Sequence, residues 1–206
     1  QRVLADQNAV IVVPDDVPLD VAAVIGCAVQ TGLGAVFNTA RVRPGDTVAV
    51  LGLGGVGMSV VAGARIAGAS RIVVSDPQPH RLDLASDVGA TDLVDPRSAD
   101  VISTVQRVTN NIGVDCAFEA VGSAAVVETA LAATRNGGTT VLVGAGPIDE
   151  SIPLAPTFLA VSGKGLMGCL LGGGNSLRDV PMIIELHRSG RLDLEALITA
   201  RRPLQE

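Results

Sequence analysis

Apolar residues recur through the middle of the chain in two alternating forms. Short runs such as Thr47 to Leu51 (TVAVL) and Arg71 to Ser75 (RIVVS) are almost continuously apolar, as strands buried on both faces are. Between them lie longer stretches with helical spacing. In Val56 to Ala67, positions Val56, Val60, Ala64 and Ala67 share a face, and Gly68 closes the helix. The same reading predicts a helix over Pro79 to Val88, a short strand at Asp92 to Val94 and a helix from Ser98 to about Thr109. Strand Val114 to Phe118, helix Ser123 to Ala133 and strand Thr139 to Val143 continue the alternation. Pro147, Pro153 and Pro156 then mark an irregular connection before an apolar run at Gly165 to Leu171. Strands alternating with helices of about ten residues form βαβ units. Right-handed crossovers give an α/β fold with a doubly wound parallel sheet of the Rossmann type.

The ends depart from this rhythm. Residues 1–28 read as a strand (Val10 to Val13), a turn through Pro14 and Pro18, and a short helix. Residues 172–206 offer one clear helix, about Leu177 to Arg188, and then Leu197 to Arg202 trailing off at Glu206. The expected organisation is a Rossmann domain over residues 29–171, with residues 1–28 and 172–206 as arms of an incomplete catalytic domain. The first methionine is Met58 and the chain opens on Gln1-Arg2, so a fragment or a processed product is expected, without a signal peptide. The stretch Val21 to Phe37 is interrupted by Gln30, Thr31 and three glycines. It is read as a buried soluble segment rather than a membrane span.

Composition narrows the function. The chain of 206 residues is 48% apolar and 17% charged, with a net charge of −6. That is ample for a core and too apolar for disorder. Its basic residues are scattered, so neither nucleic acid nor an anionic membrane is an expected partner. Three widely spaced cysteines, none in a CxxC pair, fit a reducing compartment, and a cytoplasmic location is expected.

The strongest chemical signal is Gly52-Leu53-Gly54-Gly55-Val56-Gly57. It satisfies GxGxxG between a predicted strand and a predicted helix, the context that gives this common pattern meaning. Gly52 permits the tight turn, Gly54 lets the backbone approach a pyrophosphate, and Gly57 lets the helix pack on the sheet. The helix N-terminus then offers unpaired N–H groups to the phosphates. Asp76 lies nineteen residues beyond Gly57, directly after RIVVS. A carboxylate there can accept the adenosine ribose hydroxyls and repel a 2′-phosphate, which points to NAD over NADP. A plain cap on the turn before Pro77 is the alternative. Arg81 either reaches the ribose edge or is a solvated helix residue.

With these residues in place the chain resembles a known family. Ile25-Gly26-Cys27-Ala28-Val29-Gln30-Thr31-Gly32, Arg43-Pro44-Gly45-Asp46-Thr47-Val48-Ala49-Val50 and Gly52 to Gly57 are similar to zinc-dependent alcohol dehydrogenases of the medium-chain dehydrogenase/reductase family. The likeness is greatest to its class I and class III (formaldehyde dehydrogenase-like) branch. Val88-Gly89-Ala90-Thr91, Phe118-Glu119-Ala120-Val121-Gly122 and Leu197-Ile198-Thr199 continue the match. The resemblance implies that Cys27 is one ligand of a catalytic zinc and that Thr31 contacts the nicotinamide side of the cofactor. It implies cofactor contacts at Leu53, Gly55, Val56 and Val121, at Val143, Gly144 and Ala145, whose backbone would hold the carboxamide, and at Cys169 and Leu171. Arg81 falls where the family places a lysine on the ribose. The other zinc ligands, the proton relay and the structural zinc lobe would lie upstream, so no catalytic residue is assigned within this chain.

From spacing alone, Cys27 reads as a buried free cysteine, because one thiolate cannot hold a tetrahedral ion. Cys116 reads as packing. Glu119 could approach the cofactor cleft or merely brace a turn. Gly172-Gly173-Gly174 resembles a second phosphate loop but lacks a following GK[ST], so a hinge is favoured. The implied activity is NAD-dependent, zinc-assisted hydride transfer between an alcohol and an aldehyde or ketone. The alternatives are a non-catalytic NAD-binding module and a zinc-free quinone or enoyl reductase. A homo-oligomer paired through the edge run Gly165 to Leu171 is expected.

Overall fold

The computed structural model describes residues 3–203. The expectations attached to Gln1, Arg2 and Glu206 lie outside the described residues. Six strands form one all-parallel sheet: β1 (Thr47–Leu51), β2 (Arg71–Ser75), β3 (Asp92–Val94), β4 (Val114–Glu119), β5 (Thr134–Leu142) and β6 (Gly165–Gly168). Their spatial order is β3-β2-β1-β4-β5-β6. Chain order therefore reverses between β1 and β4, the switch point where doubly wound sheets open a crevice.

Strand composition explains why helices cover both faces. In β1, Val48 and Val50 join the core that includes Ile72, Val74, Phe118 and Val141. Ala49 and Leu51 join the opposite core with Val73, Ala117, Val101 and Val105. Helices α3 (Gly55–Ala67) and α4 (Pro79–Val88) supply the first face. Helices α5 (Val101–Val108) and α6 (Ala124–Ala133) supply the second. Each fully buried Val or Leu contributes about 1.5–3 kcal/mol, so a two-sided sheet is favoured wherever a strand has no polar face.

The arms build a core of their own. A continuous helical stretch, Leu19–Ala40, contains α1 (Leu19–Val24) and α2 (Gln30–Gly34) joined by π-helical turns. Val17, Val21, Ile25, Val29 and Leu33 recur every fourth residue and pack against Val180, Ile183, Ile184 and Leu186 of α8 (Ser176–Arg188). This long helix passes residues 28 and 29 without a break. By length and composition it could cross a membrane, yet 56% of its apolar window is buried inside the protein.

Several expected elements differ in detail. Residues 10–13 form no strand: Val10 and Val12 face solvent while Ile11 and Val13 lie against the arm core. A β-branched run alone does not make a strand where no partner ladder is available. The helix expected from Ser98 begins at Val101, because Asp100 has extended backbone and its carboxylate caps the Ser103 N–H at 2.7 Å. β5 starts at Thr134, with a register shift before Cys116↔Thr139. The proline-rich connection contains an unforeseen helix, α7 (Pro156–Ser162), with proline in its first turn.

Candidate functional site: the crevice at the switch point

The loop between β1 and α3 is built from the glycines that the motif predicts. Gly52 has a φ of +96°, and its N–H donates to Ser75 O at 2.8 Å. A Cβ on Gly57 would overlap the Gly52 carbonyl oxygen and stand 2.9 Å from its carbon. Only glycine lets the first turn of α3 lie on the loop this closely. Gly54 differs: a Cβ there would meet nothing within 4 Å. Its bare Cα faces open space at the N-terminus of a 13-residue helix that has no side-chain cap and no acid in its first turn. The donors there are free for an anion.

Asp76 follows β2 and is 3% exposed. Its Oδ2 accepts the Leu53 N–H at 2.8 Å and Arg81 Nη1 at 3.2 Å, and its Oδ1 accepts the Gln78 N–H at 2.9 Å. The turn-capping role is therefore present, together with one the sequence did not suggest: the carboxylate fastens the glycine loop through Leu53. A carboxylate has about four acceptor positions, so one remains on Oδ1. Arg81 is half exposed and covers another.

Across the switch point, Glu119 ends β4 and is 1% exposed. Its Oε1 accepts the Val121 and Gly122 N–H groups at 2.8 and 2.7 Å. Its Oε2 is buried with no partner among the described residues. Its backbone carbonyl accepts the N–H groups of Val143 (2.9 Å) and Gly144 (3.0 Å). Val143, Gly144 and Ala145 thus sit beside the turn that carries Val121, which is half exposed.

The long helix approaches the same crevice. Thr31 is buried, and the neighbouring Gly32 would bring a Cβ within 2.6 Å of the Val56 carbonyl. The Ala28 Cβ stands 3.2 Å from where a Gly55 Cβ would be. Cys27, one residue earlier, is exposed; the buried reading of this thiol is corrected, because it lies on the outward side of a π-helical turn whose Ile25 and Val29 face inward. Cys169 is part-buried and accepts the Thr39 hydroxyl at 3.3 Å. Leu171 is half exposed with a φ of +46°, and its carbonyl accepts Gln30 Nε2 at 3.3 Å.

Gly172 is held by a side chain of the long helix. Asn38 Nδ2 donates to Gly172 O and to the buried Asp179, each at 3.1 Å, and Arg178 bonds both Asn38 and Asp179. His187 Nδ1 lies 3.1 Å from Leu192 O, a local contact far along the chain from the loop. Among the described residues no group of three or more His, Cys, Asp or Glu side chains could hold a metal. Cys27 alone does not complete a tetrahedral site.

A six-stranded parallel sheet with helices on both faces, a glycine turn at its switch point and an acid after the second strand defines the doubly wound α/β class. A family model described as zinc-binding dehydrogenase matches residues 55–186. An S-(hydroxymethyl)glutathione dehydrogenase of Synechocystis sp. is 39% identical over 186 residues, covering 88% of this chain and 50% of that protein. The Escherichia coli protein of the same name is 40% identical over 184 residues, with the same shares. Among solved structures, benzyl alcohol dehydrogenase from Acinetobacter calcoaceticus superposes with a TM-score of 0.85 at 30% identity, covering 89% of this chain and 50% of that one. An alcohol dehydrogenase zinc-binding domain protein from Burkholderia ambifaria does so at 0.85 and 36%, covering 89% and 49%. The chain belongs to the zinc-binding dehydrogenase family, and it spans about half the length of the relatives it matches.

Proposed function

We propose that this chain is the coenzyme-binding part, residues 29–171 with their flanking arms, of an NAD-dependent alcohol dehydrogenase. The whole protein would transfer hydride between a small alcohol and its aldehyde or ketone, with zinc assistance. The observation that carries the coenzyme reading is Asp76, a buried carboxylate that is both bonded to the glycine loop and placed after β2. A dinucleotide laid across the crevice would meet, in order, Asp76 with Arg81, the loop Gly52 to Gly57, and the ends of β4 and β5. Asp76 would accept a ribose hydroxyl on Oδ1. Its charge disfavours a 2′-phosphate at the same place. The bare Gly54 and the uncapped α3 N-terminus fit a pyrophosphate. Val121, Val143, Gly144 and Ala145 line the far half, and Thr31, Cys169 and Leu171 are assigned to the same side by family resemblance. The nicotinamide, when bound, supplies the hydride acceptor; the protein's part is to hold and orient it.

Cys27 is exposed and is proposed as one metal ligand of the intact protein. One ligand is not a site, and no step is assigned to a metal on this chain. Cytoplasmic location and pairing of two copies through the β6 edge belong to the same reading. The experiment is a titration with NADH and then NADPH, following nicotinamide fluorescence, which is clean because the chain has no Trp or Tyr. Saturable NADH binding, with NADPH weaker by tenfold or more, is expected. A preference for NADPH would instead favour the quinone or enoyl reductase reading.

A further inference from the structure

Glu119 does more than end a strand. The turn it holds through Oε1, residues 120–122, abuts the glycine loop: a Cβ on Gly52 would stand 2.6 Å from Val121 Cγ2 and 3.0 Å from Ala120 O. The same turn abuts the end of β5, where a Cβ on Gly144 would overlap Gly122 N and come within 2.7 Å of Glu119 Oε2. Backbone meets backbone on both sides, with one buried carboxyl at the centre. The β4 ladder does not need that carboxyl, because the Glu119 backbone carbonyl is already bonded to Val143 and Gly144. An enclosed oxygen without a partner is costly. What the side chain supplies is an acceptor for two N–H groups that would otherwise be orphaned in the crevice floor.

We infer that Glu119 is a positioning residue for the half of the dinucleotide that lies beyond the switch point from Asp76. This rests on the coenzyme reading above. The adenosine half would bear on Asp76 and the glycine loop. The other half crosses to the ends of β4 and β5, and both surfaces there are set by Glu119.

The test compares NADH with ADP-ribose, which carries the adenosine half and both phosphates but no nicotinamide. Glu119→Leu removes the acceptor at similar volume, whereas Glu119→Gln keeps an acceptor oxygen for Val121 and Gly122. Because the turn also abuts the glycine loop, ADP-ribose should lose some affinity as well; the expected result is that Glu119→Leu weakens NADH at least tenfold more than ADP-ribose, and that Glu119→Gln recovers most of the loss. An equal loss for both ligands, no loss for either, or a Gln variant as weak as Leu would overturn the inference. In the unsubstituted chain, NADH should slow amide exchange across residues 119–122 and 143–145 more than ADP-ribose does. That measurement decides the matter if the Leu variant does not fold, and equal protection would refute it. If the unsubstituted chain binds neither ligand, the coenzyme reading itself fails, and this inference with it.

Discussion

Two glycines three residues apart in the loop should respond to alanine in opposite ways. At Gly57 the added Cβ would overlap the Gly52 carbonyl oxygen. That carbonyl cannot give way, since Gly52 is fixed by a φ of +96°, by its N–H bond to Ser75 O and by Val121 behind it. Overpacking against immobile backbone costs about 3 kcal/mol or more. For a chain of this size each kcal/mol lowers Tm by roughly 2–4 °C, so Gly57→Ala should melt about 6–12 °C lower. At Gly54 the Cβ would meet nothing within 4 Å, and its backbone (φ −70°, ψ −172°) suits any residue. Alanine there restricts the unfolded chain and stabilises by about 0.4–1 kcal/mol. The same Cβ would stand where a pyrophosphate approaches, so Gly54→Ala should bind NADH at least tenfold more weakly, a loss of about 1.4 kcal/mol or more. Far-ultraviolet circular dichroism gives the melts, and nicotinamide fluorescence gives the affinities. A Gly54→Ala protein that binds NADH as tightly as the parent would refute the phosphate-loop reading. A Gly57→Ala protein that melts within about 2 °C of the parent would refute the packing argument.

Other residues give independent checks. Asp76→Asn keeps an acceptor for Leu53 but removes the charge, so the preference for NADH over NADPH should narrow about tenfold, near 1.4 kcal/mol; an unchanged preference would remove Asp76 from the discrimination. Under native conditions a thiol reagent should label exposed Cys27 quickly and Cys116 only on unfolding. Burial, and then the charges of Asp46 and Asp115, push the Cys116 thiol up to about 12. Because its folded value is raised, its contribution is complete below about pH 9 and is lost as the pH rises toward 12, which alkaline melts would show. Asp115 takes the Thr47 N–H (2.7 Å) and hydroxyl (2.8 Å) and Arg135 Nε (2.7 Å), stitching β1 to β4 and β5. Burial alone would raise its carboxyl, but these donors outweigh it and hold it below the usual value. Asp115→Asn should therefore cost about 1–2 kcal/mol at pH 7. The difference should shrink as the pH falls below about 4, where the parent carboxyl also loses its charge, and a difference independent of pH would contradict the assignment.

The two strands before the switch point were legible because they have no polar face: TVAVL and RIVVS begin and end where the hydrophobic pattern does. What pattern could not supply was partnership. Val10 to Val13 is a β-branched run but finds no ladder, and the helix after Asp95 starts late because Asp100 caps it. The site divides along the same line. Spacing finds Gly52, Gly57 and Asp76, each of which answers to a local backbone requirement, whereas Gly54 meets no such requirement and its lack of a side chain is accounted for only by the proposed pyrophosphate. It misses the Asp76–Leu53 bond, which spans 23 positions, and it leaves Glu119 undecided. One signal was present for Glu119: an acid placed directly after the apolar run Cys116 to Phe118 at the switch point. Inside a two-sided sheet such a residue has no solvent to turn to, so its partners must come from the turn that follows. Glu119 therefore acts on backbone N–H groups of the crevice and only through them on a ligand, whereas Asp76 fastens the Leu53 N–H and, in the proposed reading, keeps one Oδ1 position for a ribose hydroxyl. Truncating either to alanine would mix loop collapse with lost contact; Glu119→Gln keeps the one acceptor oxygen for Val121 and Gly122, and Asp76→Asn keeps the acceptor for Leu53 at the expense of the Gln78 N–H bond.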